Sequence, residues 1–185
     1  MRQKWSSQNT YLPYANNVYV WMRKVELSRE FLPNITTIQR QQDVNYRMRL
    51  ILVDWLISIH HKFQMAPETI FICVNILDRF LMRRLVTRQR LQLLGVTAIY
   101  IASKYQEIDP PPIVDFVYMT DGAVTSSAEV LAMEFCVLQE LEYNFTFPTS
   151  LSFLETYMQV IKCTDLSTEQ FTMFILDLSL GDLNL

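Results

Sequence analysis

The chain has 185 residues, half of them apolar and 12% aromatic, which suffices for a packed core and is too much for a disordered chain. Charged residues make up 19% and the formal net charge is −3, so binding of nucleic acid through bulk positive charge is not expected. The glycines (Gly95, Gly122 and Gly181) lie too far apart for a Gly-rich phosphate loop, and Asp54, Asn75, Thr97 and Lys104 interrupt the apolar runs before membrane-spanning length.

Residues 15–27 repeat apolar side chains at Val18, Trp21, Met22 and Val25 and predict a first amphipathic helix. Leu32-Pro33-Asn34 ends that stretch, because the residue before a proline is pushed out of the helical region. A second helix is predicted over 44–64, and Pro67, at a first-turn position, opens a third that runs to about Arg84. Thr87 is placed to cap a fourth, LQLLGVTAIYIASKYQEI, which Asp109-Pro110-Pro111-Pro112 stops. A short helix near 113–119 ends at the turn pair Asp121-Gly122. Ser126-x-x-Glu129 reads as a capping box that opens SAEVLAMEFCVLQELEY. Beyond Pro148-Thr149, two further helices are predicted at about 150–162 and 167–181, the second starting at Ser167-x-x-Gln170.

The pattern is all-α, with no alternating strand. Residues 1–43 form a leading segment with one helix, 44–147 a five-helix unit, and 148–185 two final helices. Those two are too few to close a core of their own. They are expected either to begin a second unit that is cut short or to pack back on the first.

The parts of an enzyme are missing. His60 and His61 are adjacent, about 100° apart around a helix axis, so they cannot ligate a metal together as an i, i+4 pair would. There is no CxxC and no HExxH, so no metal or cofactor is expected. A Ser/His/Asp or Cys/His set could assemble only through folding, and no local motif supports one. Cys73, Cys136 and Cys163 are widely spaced and read as reduced thiols, and MRQKWSSQNTY has no apolar signal-peptide core. A soluble protein of the nucleus and cytoplasm is expected. Arg83, Arg84, Arg88 and Arg90 form a basic cluster, either a solvated loop or a dock for an acidic segment.

Residues 44–64 carry the most information. At 100° per residue, Met48, Ile51, Leu52, Trp55, Ile59 and Phe63 share one side, and Leu50, Val53 and Ile57 lie roughly opposite, with Arg49 and Asp54 in the seams. Two apolar faces need two neighbours. Periodicity favours burial of both, with an exposed site for a partner's apolar side chains as the alternative.

Several segments carry a family resemblance. MRLILVDWL (Met48–Leu56), ETIFICVNILDRFL (Glu68–Leu81), LQLLGVTAIYIASKYQEI (Leu91–Ile108), FVYMTD (Phe116–Asp121) and LAMEFCVLQELEYNFTFPT (Leu131–Thr149) resemble the cyclin box of the mitotic A- and B-type cyclins, in order, over about residues 14–182. The resemblance implies a cyclin fold: an N-terminal helix, a five-helix box, and the start of a second, truncated repeat. It implies a regulatory subunit, not an enzyme, that binds and activates a cyclin-dependent protein kinase. It further implies a structural ion pair of Arg49 with Asp78, and kinase contacts from Lys104, Glu107, Glu134, Tyr143, Phe145 and the helix from Tyr14 to about Leu27.

The family's substrate-docking patch for Arg-x-Leu segments falls on Met48, Ile51, Leu52, Trp55, Arg88, Leu91 and Gln92. Two positions depart from the family pattern. Ser58 stands where an acidic residue faces the segment's Arg, which weakens selection for a basic residue. Gln106 precedes Glu107 where the family has a second acid. Competing expectations are a transcription-type cyclin-fold protein, which calls for a basic stripe, and a kinase-independent helical adaptor. No nucleic-acid or membrane partner is expected. A- and B-type features are mixed, and Arg-x-x-Leu strings such as Arg47–Leu50 lie inside predicted helices rather than in a tail of degradation signals.

Overall fold

The helix Arg88–Gln106 is apolar around its whole circumference, and it is buried around its whole circumference, from Leu91 to Ser103 with only Gln92 and Tyr100 partly open. Its buried hydroxyls are satisfied within the helix: Thr97 Oγ1 donates to the Leu93 carbonyl at 2.7 Å and Ser103 Oγ to the Tyr100 carbonyl at 2.8 Å. The computed structural model describes residues 14–28, 40–162 and 165–181. Among these, the order is α1 (Ala15–Glu26), α2 (Tyr46–Lys62), α3 (Pro67–Arg83), α4 (Arg88–Gln106), α5 (Ile113–Tyr118), α6 (Ser127–Glu140), α7 (Ser150–Val160) and α8 (Leu166–Ser179), with no strand. Helices α2, α3, α5 and α6 pack around the central α4. The Leu32-Pro33-Asn34 break and Cys163 lie outside the described residues.

Helix α2 departs from the two-faced expectation. It buries one face, made of Arg49, Leu52, Val53, Leu56, Ile59 and His60. That face lies between the two apolar stripes read from the sequence and takes members from both. Leu50 is left exposed and Ile57 partly so, while Met48 and Trp55 are half-buried at the margin. Side chains at the edge of a buried stripe are covered on one flank only. A close crossing holds α2 on α4: a Cβ on Gly95 would meet Leu52 Cδ1 at 2.8 Å, so the glycine permits this separation.

The helix ends are fastened partly by local side chains and partly from afar. Thr87 and Ser126 occupy the N-cap positions of α4 and α6, yet neither side chain caps the backbone. Asp43 Oδ2 instead accepts from the Arg88 amide at 2.8 Å, and the Ser126 hydroxyl reaches only the Glu129 carboxylate. Buried Gln41 donates to the carbonyls of Leu81 and Arg84, both at 2.6 Å, and accepts from the Val86 amide, which ties down the α3–α4 connection. Asn45 caps α2, and Pro67 is at the start of α3 as the sequence suggests. Helix α8 is capped by Asp165 rather than Ser167, because the carboxylate reaches both the Ser167 and Thr168 amides. At α7 the cap is a reciprocal Thr149–Ser152 box that the sequence reading passed over.

The last two helices both pack back. Helix α7 sits on α1 and α3 and buries Leu151 and Phe153. Tyr19 of α1 meets Phe153 edge-on at 6.3 Å between ring centres, and Met22 is buried at this junction. Val18 and Trp21 of α1, expected on its apolar face, are about half exposed. Helix α8 rests Met173, Leu176 and Leu180 against the core and leaves Phe171, Phe174, Ile175 and Leu178 exposed.

Candidate functional site

Arg49 and Asp78 join α2 to α3 at the centre of the molecule. Arg49 Nε donates to Asp78 Oδ1 and Nη2 to Oδ2, both at 2.6 Å, with both side chains almost wholly buried. A planar guanidinium and a carboxylate match as two parallel bonds, the geometry that best repays the loss of water. Burial pushes the Asp78 carboxyl up from its ordinary range and the Arg49 bonds oppose that shift. The third nitrogen, Nη1, donates to the carbonyls of Leu180 and Gly181 at 3.2 Å each, and the Tyr46 hydroxyl reaches the same Gly181 carbonyl at 3.0 Å. Arg49 therefore serves three helices, a role its place in a presumed seam did not reveal.

A second ion pair opens to the surface. Lys104, near the end of α4, donates to Glu134 of α6, and its ammonium stands 4.4 Å from the centre of the Tyr100 ring. Glu134 is buried and Lys104 is partly exposed, so the pair is anchored on the carboxylate side and open on the ammonium side. Leu131 and Phe135, its neighbours along α6, are both exposed. Tyr105 is exposed on the α4 side. These apolar side chains were missed in the sequence; Leu131 and Phe135 repeat at i, i+4 beside the buried Val130, Met133 and Val137, a second stripe that could have marked them.

The chain then turns back across this surface. Tyr143 is 61% exposed, whereas Phe145 is only 8% exposed and packs on the Tyr105 ring at 6.3 Å. Of this expected pair of partner contacts, Tyr143 is presented and Phe145 is packing. The Tyr105 hydroxyl also meets Thr146 Oγ1 at 3.1 Å, closing the end of α4 onto the segment.

Glu107, expected at a partner surface, is half-buried and engaged within the chain. Its Oε1 accepts from the Ala66 amide at 2.9 Å and from the Thr69 hydroxyl, so it caps the start of α3 from the far end of α4. Pro67 at the first helical position leaves that end without a local side-chain cap, and Glu107 fills the gap.

The expected docking patch divides into floor and rim. Leu52 and Leu91 are buried and belong to the core; an exposed role for them is corrected by their packing between α2 and α4. Ile51 is 60% exposed, Met48, Trp55 and Gln92 are half-buried, and Arg88 is exposed. Ser58 is exposed, and its hydroxyl donates to the Asp54 carbonyl of its own helix. Of the basic cluster, Arg83 binds the Glu140 carbonyl and lies 3.8 Å from Glu142, and Arg84 pairs with the Glu140 carboxylate. Half of that cluster is thus engaged with the end of α6 and the residues after it, an arrangement that differs from both the solvated loop and the acidic-segment dock. Among the described residues no group of His, Cys, Asp or Glu could hold a metal ion, and no helix is long and apolar enough to cross a membrane.

A family model described as Cyclin, N-terminal domain, matches residues 17–146, about two thirds of the chain. The chain belongs to the cyclin family. G2/mitotic-specific cyclin-B2 of Homo sapiens is similar to this cyclin chain at 38% identity over 97% of it and 44% of the human protein. The cyclin-B2 of Gallus gallus is 42% identical over 91% of this chain and 41% of its own. G2/mitotic-specific cyclin cdc13 of Schizosaccharomyces pombe is 34% identical over 97% and 36%. This cyclin chain spans less than half the length of these curated relatives. A viral cyclin from herpesvirus saimiri has the same fold, with a TM-score of 0.75 over 91% of this chain and 72% of that one at 22% identity. The cyclin fold expected from the five sequence segments is the fold observed.

Proposed function

We propose that this cyclin chain is a regulatory subunit that binds and activates a cyclin-dependent protein serine/threonine kinase and recruits its substrates, in the control of cell-cycle progression at S phase or mitosis. The observation that carries the reading is the Lys104–Glu134 pair, set beside exposed Leu131 and Phe135, with Tyr105 and Tyr143 exposed on the adjoining segments, in a chain of this family. Lys104 keeps ammonium protons beyond the one given to Glu134, and these suit backbone carbonyls of a partner. The apolar side chains give that partner surface to desolvate. In this reading the catalytic groups are the kinase's, and the effect of the chain is to hold the kinase's own Lys–Glu pair and activation loop in the productive arrangement. The mitotic names of the similar relatives support the mitotic side of the assignment.

Substrate recruitment falls to Ile51 with Met48 and Trp55 beside it, where the Leu of an Arg-x-Leu segment can bury. Action in the nucleus and cytoplasm, without nucleic acid or membrane, belongs to the same reading.

The test mixes the purified chain with a recombinant mitotic cyclin-dependent kinase and follows co-elution and histone phosphorylation. A complex and phosphorylation well above that of kinase alone are expected. A folded chain that neither binds nor stimulates the kinase would overturn the reading in favour of a kinase-independent adaptor or a transcription-type cyclin-fold protein.

A further inference from the structure

Two consecutive residues with side chains, Glu142 and Tyr143, hold left-handed backbone angles of φ +54° and +56° at the end of α6. Residues with a Cβ rarely adopt this conformation, and two in succession persist only when the surroundings over-determine them. Local bonds contribute: the Glu142 amide donates to the Gln139 carbonyl at 3.1 Å and the Tyr143 amide to the Leu138 carbonyl at 3.0 Å. These bonds close the helix end but do not reach the core.

Leu141 and Phe145 on either side are buried in the core, and the polar link to it is Arg79. It is fully buried on α3, where its Nη1 donates to the Asn144 carbonyl at 2.8 Å and its guanidinium lies 5.9 Å from the centre of the Phe147 ring. One rigid cation from the core thus grips the segment directly after the left-handed pair. On the other flank, Phe145 and Thr146 close on Tyr105. Ahead of these fastenings both members of the left-handed pair, Glu142 and Tyr143, stand exposed, and Tyr143 is the aromatic one.

We infer that Arg79 is a positioning residue for partner binding: it holds the left-handed Glu142–Tyr143 turn so that Tyr143 stands out to solvent on the segment that closes onto Tyr105, the residue next to Lys104. The inference rests on the proposed kinase-binding role for its consequence, but not for its geometry. A flexible turn would present Tyr143 in many orientations, and the partner would have to order it on binding. A turn held by Arg79 is ordered beforehand.

The test follows backbone amide hydrogen exchange across residues 141–147 in the whole chain, together with affinity for a recombinant mitotic cyclin-dependent kinase. Arg79→Met keeps the volume and removes the donor. It is expected to speed exchange in 141–147 while α2 and α4 stay protected, and to weaken kinase binding by about tenfold, the scale of a lost charge-assisted hydrogen bond. Adding Glu142→Asn, a residue that tolerates left-handed angles, is expected to restore part of both losses. A merely structural role for Arg79 would not respond to that second change. Unchanged exchange at 141–147 in Arg79→Met overturns the inference, as does protection lost equally from α2 and α4 without rescue by Asn at 142. Should Arg79→Met not fold, Arg79→Lys carries the same comparison, with local loosening expected and uniform loosening overturning. If the wild-type chain does not bind the kinase, the proposed function fails, and the exchange measurements still decide the role of Arg79.

Discussion

Arg49 grips Asp78 through two parallel hydrogen bonds of 2.6 Å, and the same guanidinium takes the Leu180 and Gly181 carbonyls just past α8. The first box helix, the second, and the final helix thus meet at one cation. Arg49→Ala strands a buried carboxylate and is expected to cost about 3–5 kcal/mol of stability. Urea unfolding measures the loss, and amide exchange in α8 should rise with it. Replacing both partners, Arg49→Met with Asp78→Leu, should recover much of the core stability but not the α8 contact. An Arg49→Ala variant with an unchanged unfolding midpoint would show the pair to be dispensable.

The Lys104–Glu134 pair is asymmetric in burial, and the two deletions should differ accordingly. Lys104→Ala leaves a buried carboxylate and should cost about 1–3 kcal/mol, whereas Glu134→Ala leaves a half-exposed ammonium that water can reach and should cost less. Both should weaken kinase association in a titration. Normal binding and histone phosphorylation in both variants would place the kinase face elsewhere.

The docking patch separates by depth. Ile51→Ala, on an exposed rim, should change stability by less than about 0.5–1 kcal/mol yet weaken Arg-x-Leu peptides, measured by fluorescence anisotropy. Leu52→Ala, on the buried floor, should cost about 2–5 kcal/mol. Trp55→Ala should follow Ile51 in spectrum, losing peptide binding before kinase binding. Ser58→Glu should tighten peptides with a basic residue and make their binding more salt-sensitive. Peptide affinity unaffected by both Ile51→Ala and Trp55→Ala would end the docking proposal.

Glu107 predicts a stability effect rather than an affinity effect. Glu107→Ala removes the cap on α3 and should lower stability by about 0.5–2 kcal/mol. Kinase affinity should fall only as far as the folded fraction falls. A selective loss of affinity at full stability would return Glu107 to the partner surface.

His60 sets a pH dependence. Its Nε2 is 2.8 Å from the Ala66 carbonyl, and burial pushes the imidazole below its ordinary value of 6.5, against opposing pulls from Asp177 and Glu107. The unfolded chain therefore binds a proton at higher pH than the folded one, and stability falls as pH drops through 6.5 towards the folded value. Half-buried Glu68, raised by desolvation against the opposing hydrogen bonds of Thr149 and Ser152, acts with the opposite sign and gains as pH falls. His60→Gln should flatten the slope of thermal stability between about pH 7 and 5.5 relative to wild type. An identical slope in the variant would remove His60 as its source.

Local sequence fixes much of this molecule. The proline run at 110–112, Pro67 at the first turn of α3 and the all-round apolar α4 follow from φ restriction and the 3.6-residue period, which need no knowledge of neighbours. The five cyclin-box segments are likewise a property of the chain itself. What the sequence cannot hold is the distance between residues far apart along it. Asp43 on Arg88, Glu107 on Ala66 and Arg49 on Gly181 are long-range satisfactions of backbone groups, and local capping patterns at Thr87, Ser126 and Ser167 lost to them or to nearer carboxylates. The division of α2 into a buried floor at Leu52 and an exposed rim at Ile51 depends on where α4 crosses it at Gly95. Periodicity gives the direction of a side chain around its helix; only the packing of the neighbouring helix decides whether that direction meets protein or water.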